Sequence, residues 1–334
     1  MRKIDFLGVG DTVTDAFIKL SDAHVHCRID SDACELCLRF GDKVPYESVT
    51  VVPAVGNAAN AAVSASRLGL GSALVSNLGD DKEGKDCLAS LTNDRVNTDF
   101  IKIHSGIRTN YHYVLLYDVD RTILIKHEKF PYELPDIGEP GWLYFSSVSE
   151  SAFPFHNSVA DYLENHPNIK LAFQPGKNEI KLGKEKLAKL YERSEIFFCN
   201  VEEAEVILGM ETKDVLALSK GIQALGPKMV SISDGPNGAY LFFNNDNREE
   251  LWKIPMYPDI ALPLDRTGAG DAFSSTVTCA LALGKSPLEA LSWGPINSMS
   301  VVQEIGAQKG LLSREKLEEY LGKAPADYKA NKIN

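Results

Sequence analysis

Short apolar stretches typical of buried strands alternate with helical stretches through most of this chain. The strand-like runs lie at 72–78, 142–146, 171–173 and 196–199, and the helical patterns lie at 82–93 and 154–165. Alternation of this kind implies a parallel sheet with helices on both faces, because each strand must return to the same edge through a crossover helix. The sequence therefore predicts an α/β fold with a doubly wound, mostly parallel central sheet.

Two segments depart from this alternation of strands and helices. Within them polar and apolar residues alternate, as is typical of short antiparallel strands. They are residues 17–53 and residues 101–129, and the second contains a predicted hairpin of 111–118 and 122–127 around a turn at 118–121. We therefore predict a main α/β domain from residues 1–16, 54–100 and 130–325, with a small β unit inserted in it. Residues 326–334 are predicted to be a polar, loosely held tail.

The stretch from Asp265 to Thr276 has two glycines, an alanine and an acid before a run of small residues. Gly268 and Gly270 permit a tight turn, and the helix that follows directs its unpaired N–H groups outward as an anion site. Asp271 would repel a resting phosphate but would suit a hydroxyl that is to be deprotonated. The alternative is a glycine-rich helix start whose acid only stabilises the helix dipole.

The sequence Asp265-Arg266-Thr267-Gly268-Ala269-Gly270-Asp271 resembles the C-terminal signature of the ribokinase-like (PfkB) carbohydrate kinase family. The resemblance implies a ribokinase-like fold in which the inserted strands form a lid over the site. It also implies that Asp271 is the catalytic base and that Gly268, Ala269 and Gly270 stabilise the phosphoryl group in transfer. Arg266 departs from the family, where a small or polar residue is usual, and suggests an anionic acceptor.

The acceptor site is expected near the N-terminus. Gly8 to Val13 begins like a dinucleotide fingerprint, but Val13 occupies the place of its last glycine, which disfavours a Rossmann site. The same stretch is similar to the family pattern in which an Asp five residues after a Gly binds sugar hydroxyls, here Gly10 and Asp15. An ordinary loop acid is the alternative for Asp15.

The helix that starts near residue 56 resembles the N-terminal signature of the family, although Val55 replaces the first of its two glycines. The resemblance implies that Gly56, Asn57 and Asn60 bind the acceptor. An alanine-rich packing helix would account for the alanines but not for both asparagines. Gln174-Pro175-Gly176 stands where related sugar kinases often have Asp-Pro-Asn, so no particular sugar is indicated.

Two further motifs follow predicted strands. Asn200 and Glu203 resemble the family's Asn-x-x-Glu motif, which arranges water around Mg²⁺, although a capped helix start is an equally sound explanation. The turn with Ser233, Gly235 and Gly238 resembles the family's nucleotide-binding turn, with a simple hairpin turn as the alternative. The family also places adenine and a monovalent cation such as K⁺ near residues 306–310, and this implies that Asn297 binds nucleotide.

Composition restricts the partners and the cellular location. A net charge of −11 argues against nucleic acid as a partner, since binding it relies on Lys and Arg. The absence of a membrane-length apolar run or signal segment predicts a cytoplasmic protein that is not bound to a membrane. The six cysteines are too sparse for a disulfide scaffold. The cluster of His24, His26, Cys27, Cys34 and Cys37 is interpreted as strand-packing thiols, with a zinc site as the alternative.

Together these features predict an ATP-dependent kinase that phosphorylates a hydroxyl of a small sugar, with Mg²⁺ as cofactor. A nucleoside kinase of the same fold, a phosphosugar kinase and a non-catalytic sugar or nucleotide sensor remain alternatives. Lids of this family often pair between subunits, so the resemblance also implies a homodimer through the lid, with an unpaired lid as the alternative.

Overall fold

The computed structural model describes residues 3–27, 34–117, 120–246 and 248–333. The predicted turn at 118–121 lies in part outside these residues. The strands are β1 (Phe6–Val9), β2 (Val13–Leu20), β3 (His24–Cys27), β4 (Cys34–Cys37), β5 (Tyr46–Val55), β6 (Ser72–Gly79), β7 (Ile101–His104), β8 (Asn110–Tyr117), β9 (Asp120–Leu124), β10 (Trp142–Phe145), β11 (Lys170–Phe173), β12 (Ser194–Asn200), β13 (Met229–Ser233), β14 (Ala239–Asn245), β15 (Arg248–Ile254) and β16 (Asn331–Lys332). The helices are α1 (Asn57–Arg67), α2 (Lys82–Asn93), α3 (Phe153–Asn165), α4 (Lys177–Leu182), α5 (Ala188–Arg193), α6 (Val201–Leu208), α7 (Val215–Gln223), α8 (Ala269–Ala282), α9 (Pro287–Val301) and α10 (Arg314–Gly322).

The central sheet has the strand order β16-β15-β14-β13-β12-β11-β10-β1-β6-β7. The strands from β13 through β7 in this order pair in parallel, whereas β14, β15 and β16 extend one end of the sheet in antiparallel fashion. β1 lies between β10 and β6, so the chain builds outward from it in both directions. This arrangement confirms the predicted doubly wound fold and places a ligand crevice beyond the carboxyl end of β1.

Successive residues of the central strands pack on opposite faces of the sheet, as the two-residue period of a strand requires. In β10, Leu143 and Phe145 pack in one core with residues of α3, α5, α6 and α7. Trp142 and Tyr144 pack in a second core with residues of α1, α8, α9 and α10. The helices therefore cover both faces of the sheet, as predicted.

The lid is a separate sheet with the strand order β5-β2-β8-β9. Its boundaries differ from the predicted ones, because β2 already begins at Val13 and because β7, at 101–104, pairs in parallel with β6 in the central sheet. β7 is short and only partly apolar, so its sequence does not distinguish a central edge strand from a lid strand.

A small two-stranded hairpin of β3 and β4 lies between β2 and β5 in the chain and contains a disulfide between Cys27 and Cys34. The interpretation of these two cysteines as packing thiols is therefore wrong. The two residues are direct cross-strand partners, which brings their side chains together on an exposed hairpin. Cys37 is free and exposed. Among the described residues, no three His, Cys, Asp or Glu side chains are grouped so as to hold a metal ion.

The C-terminal tail is not loosely held. Asn331 and Lys332 pair with Lys253 and Trp252 of β15, and Tyr328 is buried beside Tyr257. The hydroxyl of Tyr328 donates a hydrogen bond to the carbonyl of Ser292 at 2.6 Å. The prediction failed because the tail is polar on average but contains Tyr328, which packs in the second core. Within the described ranges, every helix is too short or too polar to cross a membrane.

Candidate active site

Two adjoining clefts lie at the carboxyl edge of the central sheet. The first, which we call the lid cleft, has a volume of about 430 Å³ and is lined by residues such as Asp15, Gly56, Asn57, Asn60, Glu203, Gly268 and Asp271. The second, which we call the helix cleft, has a volume of about 420 Å³ and is lined by residues such as Ser233, Gly235, Gly238, Arg266, Ala269 and Gly270. The loop and first turn of α8 at 266–271 therefore border both clefts.

The loop before α8 is fixed by the buried carboxylate of Asp265. One oxygen accepts hydrogen bonds from the N–H and the hydroxyl of Thr267 at 2.9 and 2.7 Å, and the other accepts one from the N–H of Gly306 at 3.0 Å. Gly268 has φ +80°, and a Cβ there would lie 2.3 Å from Cβ of Ala307. A Cβ on Gly270, by contrast, would meet nothing within 4 Å. The sequence identified both glycines but missed the clamping role of Asp265.

Asp271 is half-buried and lines the lid cleft. Its Oδ2 accepts a hydrogen bond from Nδ2 of Asn60 at 2.8 Å, and its Oδ1 accepts one from Nε2 of Gln174 at 3.2 Å. Burial raises the pKa of the Asp271 carboxyl, and these two hydrogen bonds offset part of the increase because they favour the charged form. The carboxylate of Asp271 therefore reaches the lid cleft from a half-buried position.

The two amides that bind Asp271 are themselves oriented by neighbouring groups. Oδ1 of Asn60 accepts a hydrogen bond from Nε2 of Gln308 at 3.0 Å, and Oε1 of Gln174 accepts one from the hydroxyl of Ser274 at 2.6 Å and another from that of Tyr144. Because both amide oxygens are occupied in this way, both NH₂ groups face Asp271. Sequence reasoning missed Gln308 and noted Gln174 only as a departure from relatives. The position of Gln174 directly after a predicted strand was the signal that could have identified it.

The lid contributes two histidines that the sequence analysis did not select. His112 of β8 lies with Nδ1 3.4 Å from Oδ1 of Asp15, and His127 after β9 lies with Nδ1 3.1 Å from Oδ2 of Asp11. Asp11 also accepts a hydrogen bond from the hydroxyl of Tyr132 at 2.7 Å. The lid cleft therefore has two carboxylate–imidazole pairs. Of their four residues, the sequence analysis selected only Asp15.

Asn200 and Glu203 form a reciprocal capping box at the start of α6. Oδ1 of Asn200 accepts from the N–H of Glu203 at 2.8 Å, and Oε2 of Glu203 accepts from the N–H of Asn200 at 2.9 Å. Glu203 lines the lid cleft, and burial, with the nearby charge of Asp271, raises the pKa of its carboxyl. The capped helix start is therefore present in the structure. The capping bonds leave other oxygen atoms of these side chains for a ligand, and Mg²⁺ prefers oxygen ligands.

The helix cleft contains the predicted turn but not Asn297. That residue is fully buried, its Nδ2 donates to the hydroxyl of Thr276 at 2.8 Å, and its Oδ1 accepts from the N–H of Leu312 at 2.9 Å. It therefore joins α8 to α9 and to the segment before α10, and the structure does not support the expected contact with nucleotide. The neighbouring Ser298 lines the cleft instead and donates to the carbonyl of Ala269 at 2.8 Å.

Arg266 is exposed in the helix cleft, beside Ser233, Gly235 and Gly238. The expectation that its charge would favour an anionic acceptor assumed that Arg266 faces the same cleft as Asp15. The loop instead directs Arg266 and Asp271 to different clefts, so the phosphosugar alternative loses the observation that motivated it.

Solved structures similar to this chain share the ribokinase fold. A ribokinase from Arabidopsis thaliana complexed with ribose and ATP superposes with a TM-score of 0.78 at 20% sequence identity, covering 96% of this chain and 99% of its own. A nucleoside kinase from Methanocaldococcus jannaschii superposes with a TM-score of 0.73 at 18% identity, with the same coverage. At these identities the likeness establishes the fold class.

The particular family follows from the sequence comparisons. The model of the pfkB family carbohydrate kinases matches residues 21–314, so the chain belongs to the PfkB family and is a sugar kinase. The ribokinase of Bacillus subtilis (strain 168) is 27% identical over 289 residues, covering 85% of this chain and 92% of the relative. Fructokinase-1 of Oryza sativa subsp. japonica is 26% identical over 272 residues, covering 72% of this chain and 80% of the relative.

Proposed function

We propose that this protein transfers the γ-phosphoryl group of ATP to a hydroxyl of a sugar bound in the lid cleft. The observation that carries the proposal is the placement of the 266–271 segment between two clefts. Gly268 and Asp271 line the lid cleft, whereas Ala269 and Gly270 line the helix cleft. A phosphoryl group held at the start of α8 would then lie between the nucleotide and the acceptor.

Asp271 is proposed as the general base. Its carboxylate would accept the proton of the attacking hydroxyl, and the raised pKa makes it a better proton acceptor than an ordinary aspartate. The first N–H groups of α8 have no acceptor within the helix and would stabilise the negative charge of the group in transfer. Asp15, Gly56, Asn57 and Asn60 would orient the acceptor, and Ser233, Gly235 and Gly238 would hold the nucleotide phosphates.

Magnesium is expected to bind beside Glu203, through water and the nucleotide phosphates. Bound Mg²⁺ neutralises phosphate charge, and it usually keeps several waters, so a site with few protein ligands suits it. Glu203 is half-buried, and this burial, together with the nearby negative charge of Asp271, raises the pKa of its carboxyl. A cation bound nearby would reduce the repulsion between these two carboxylates. Asn200 holds Glu203 in place through the capping box. A requirement for a monovalent cation such as K⁺ stays a prediction from family resemblance.

The proposal is tested by a screen of acceptors with ATP and Mg²⁺. Ribose, fructose, other pentoses and hexoses, adenosine and sugar phosphates are offered side by side, and ADP production is measured. We expect turnover of at least one free sugar, whereas turnover confined to nucleosides would favour the nucleoside kinase alternative. If every acceptor failed while ATP still bound, a sensor would be the better interpretation.

The Asp271→Asn variant tests the assignment of the base. It keeps the size of the side chain, so we expect it to fold and to bind ATP like the wild type while kcat falls about 10²–10⁴-fold. Binding of ATP is measured by calorimetry and turnover with the best acceptor of the screen. A kcat close to that of the wild type would remove Asp271 as the base.

A further inference from the structure

Arg266 is an exposed arginine whose charge is not neutralised within the protein. Among the described residues, no hydrogen bond or ion pair to its guanidinium group is found. The adjacent acid, Asp265, does not pair with it, because Asp265 is only 3% exposed and its two oxygens accept hydrogen bonds from Thr267 and Gly306. The acid thus faces inward and the arginine outward, which leaves the positive charge available to a ligand.

The backbone that carries Arg266 is held on both sides. Before it, the N–H of Leu264 donates a hydrogen bond to the carbonyl of Val302 at the end of α9 at 2.8 Å. After it, the clamped Thr267 leads into α8, which begins at Ala269. Because the backbone is already ordered, a ligand that binds Arg266 has to immobilise only its side chain, and this keeps the entropic cost of binding low.

The helix cleft in which Arg266 lies has two kinds of lining. Apolar side chains suit a flat base, and they include Met256, Phe273, Pro295 and Val302. The remainder is mostly small, with Ser233, Gly235, Gly238 and Gly270, so that a ligand can approach the backbone closely. Arg266 is the basic residue that lines this cleft within the described part of the chain.

The acidic residues around the two clefts make this single arginine significant. Among the described residues that line them, the acids are Asp11, Asp15, Glu203, Asp259 and Asp271, whereas the lysine and arginine residues are Lys177 and Arg266. Lys177 lies in the lid cleft. Phosphates near the start of α8 would be repelled by the closest of these carboxylates. A cation in the helix cleft would offset that repulsion from the side on which the nucleotide enters.

We propose that Arg266 binds the β- and γ-phosphates of ATP from the helix cleft. Arg266 and Gly270 belong to the same short segment and line the same cleft, so the guanidinium group accompanies the N–H groups that are assigned to the phosphoryl group in transfer. The N–H fork of an arginine matches two phosphate oxygens, which a lysine cannot do. This inference rests on the proposed function, since that function places the nucleotide in the helix cleft.

Nucleotide binding without an acceptor tests the assignment. The Kd values of ATP and AMP are measured by calorimetry with Mg²⁺ in the wild type, Arg266→Met and Arg266→Lys. In Arg266→Met the Kd of ATP should rise roughly tenfold, because a charged hydrogen bond is lost at a site open to solvent. The Kd of AMP, which has only the α-phosphate, should stay within a factor of about two. Arg266→Lys should recover part of the ATP affinity, since it keeps the charge but not the fork.

Arg248→Met is the matched control. Arg248 is an exposed arginine at the start of β15 that lines neither cleft, so its loss changes the net charge equally and should leave the Kd of ATP unchanged. Raising the ionic strength should weaken ATP binding more in the wild type than in Arg266→Met, because salt screens an exposed ion pair. Melting temperatures show that each variant is folded.

The proposal is overturned if folded Arg266→Met binds ATP as tightly as the wild type. It is also overturned if AMP loses as much affinity as ATP, which would indicate a distorted cleft, or if Arg248→Met has the same effect. Failure of the proposed function gives a different result, since ATP binding that depends on Arg266 while no sugar is phosphorylated would support the contact and contradict the sugar kinase reaction. A wild type that binds no ATP would overturn both.

Discussion

The carboxylate of Asp271 accepts hydrogen bonds from two side-chain amides that come from different elements. Asn60 is on α1 and Gln174 follows β11, and each is oriented by a further side chain. A carboxylate has more acceptor positions than these two bonds use, so a substrate hydroxyl can still reach it. The amides therefore fix the direction of the carboxylate without neutralising it.

The raised pKa of Asp271 predicts the pH at which activity falls on the acidic side of the pH–rate profile. The base must be ionised to act, so kcat/KM should fall with decreasing pH at a higher pH than for an ordinary aspartate. Asn60→Leu removes a bond that favours the charged form, which raises the pKa of Asp271 and should shift the limb further toward neutral pH. The measurement is kcat/KM across pH in wild type and variant.

Asn57→Ala is the control for this shift, since Asn57 lines the same cleft and no hydrogen bond joins it to Asp271 among the described residues. An unshifted limb in Asn60→Leu would contradict the assignment of Asp271 to that limb.

The raised pKa of Asp271 also means that its ionised carboxylate lowers the stability of the folded protein at neutral pH. Its contribution to stability is full below its usual pKa and is lost as pH rises through the raised folded value.

The two glycines of the α8 loop should respond differently to alanine. Gly268→Ala places a Cβ against Ala307 at φ +80°, which should cost about 1–3 kcal/mol of unfolding free energy and lower the melting temperature. Gly270→Ala adds a methyl group in open space in the helix cleft, so stability should be kept while the KM of ATP rises. Calorimetry and ATP kinetics separate the two effects, and equal melting temperatures would contradict the strain at Gly268.

At the scale of elements, helices that start at the carboxyl edge differ in how their first N–H groups are satisfied. Asp81 caps α2, and Asn200 and Glu203 cap α6. α8, like α1, has a glycine at its N-cap and no side-chain hydrogen bond there. Its first N–H groups are therefore left for a ligand, which is the element-scale basis of the proposed phosphoryl site.

The C-terminal element should contribute to stability although its sequence is polar. Tyr328→Ala removes a buried ring that packs on Tyr257, and we expect a loss of about 3 kcal/mol of unfolding free energy. Tyr328→Phe keeps the ring and removes the bond to Ser292, with an expected loss of about 1 kcal/mol. Chemical denaturation measures both. A stability of Tyr328→Ala equal to that of the wild type would contradict the docked tail.

At the scale of the whole molecule, the lid has two chemically different faces. Asp15 and His112 are paired residues of β2 and β8, and they face the lid cleft. The next row across the lid, in the order Val51, Ala16, Tyr113 and Leu124, lies on the opposite face. Val51, Tyr113 and Leu124 are 53%, 48% and 52% exposed, so this outer face presents apolar side chains to solvent.

The outer face of the lid predicts a homodimer in solution. A second copy would cover the exposed side chains of Val51, Tyr113 and Leu124, since apolar groups grouped on one surface favour association. We expect the wild type to sediment as a dimer at micromolar concentration and Val51→Glu to shift it toward the monomer. Val206→Glu, on an exposed position of α6, is the control. A monomeric wild type would contradict this prediction.

Much of the fold was predictable because it depends on local and periodic signals. The helical pattern at 82–93 appears with the predicted bounds, since Asp81 caps its start and Asp94 follows its end. The strand at 101–104 was assigned to the lid because four residues carry too little pattern to choose a sheet. The burial of Asn297 was missed because an asparagine in a helix gives no sign of which neighbours it meets.

The sequence by itself determined the order of strands and helices, the glycine-rich start of α8 and the acid beside it, because these depend on spacing along the chain. Only the tertiary structure decided that Asp271 and Arg266 serve different clefts, that Gln174 and Gln308 orient the base, and that Asp11 meets His127. Gln174 and Asp271 are 97 positions apart and Asn60 and Gln308 are 248 apart, and such contacts arise only when the parallel strands bring their carboxyl ends to one edge.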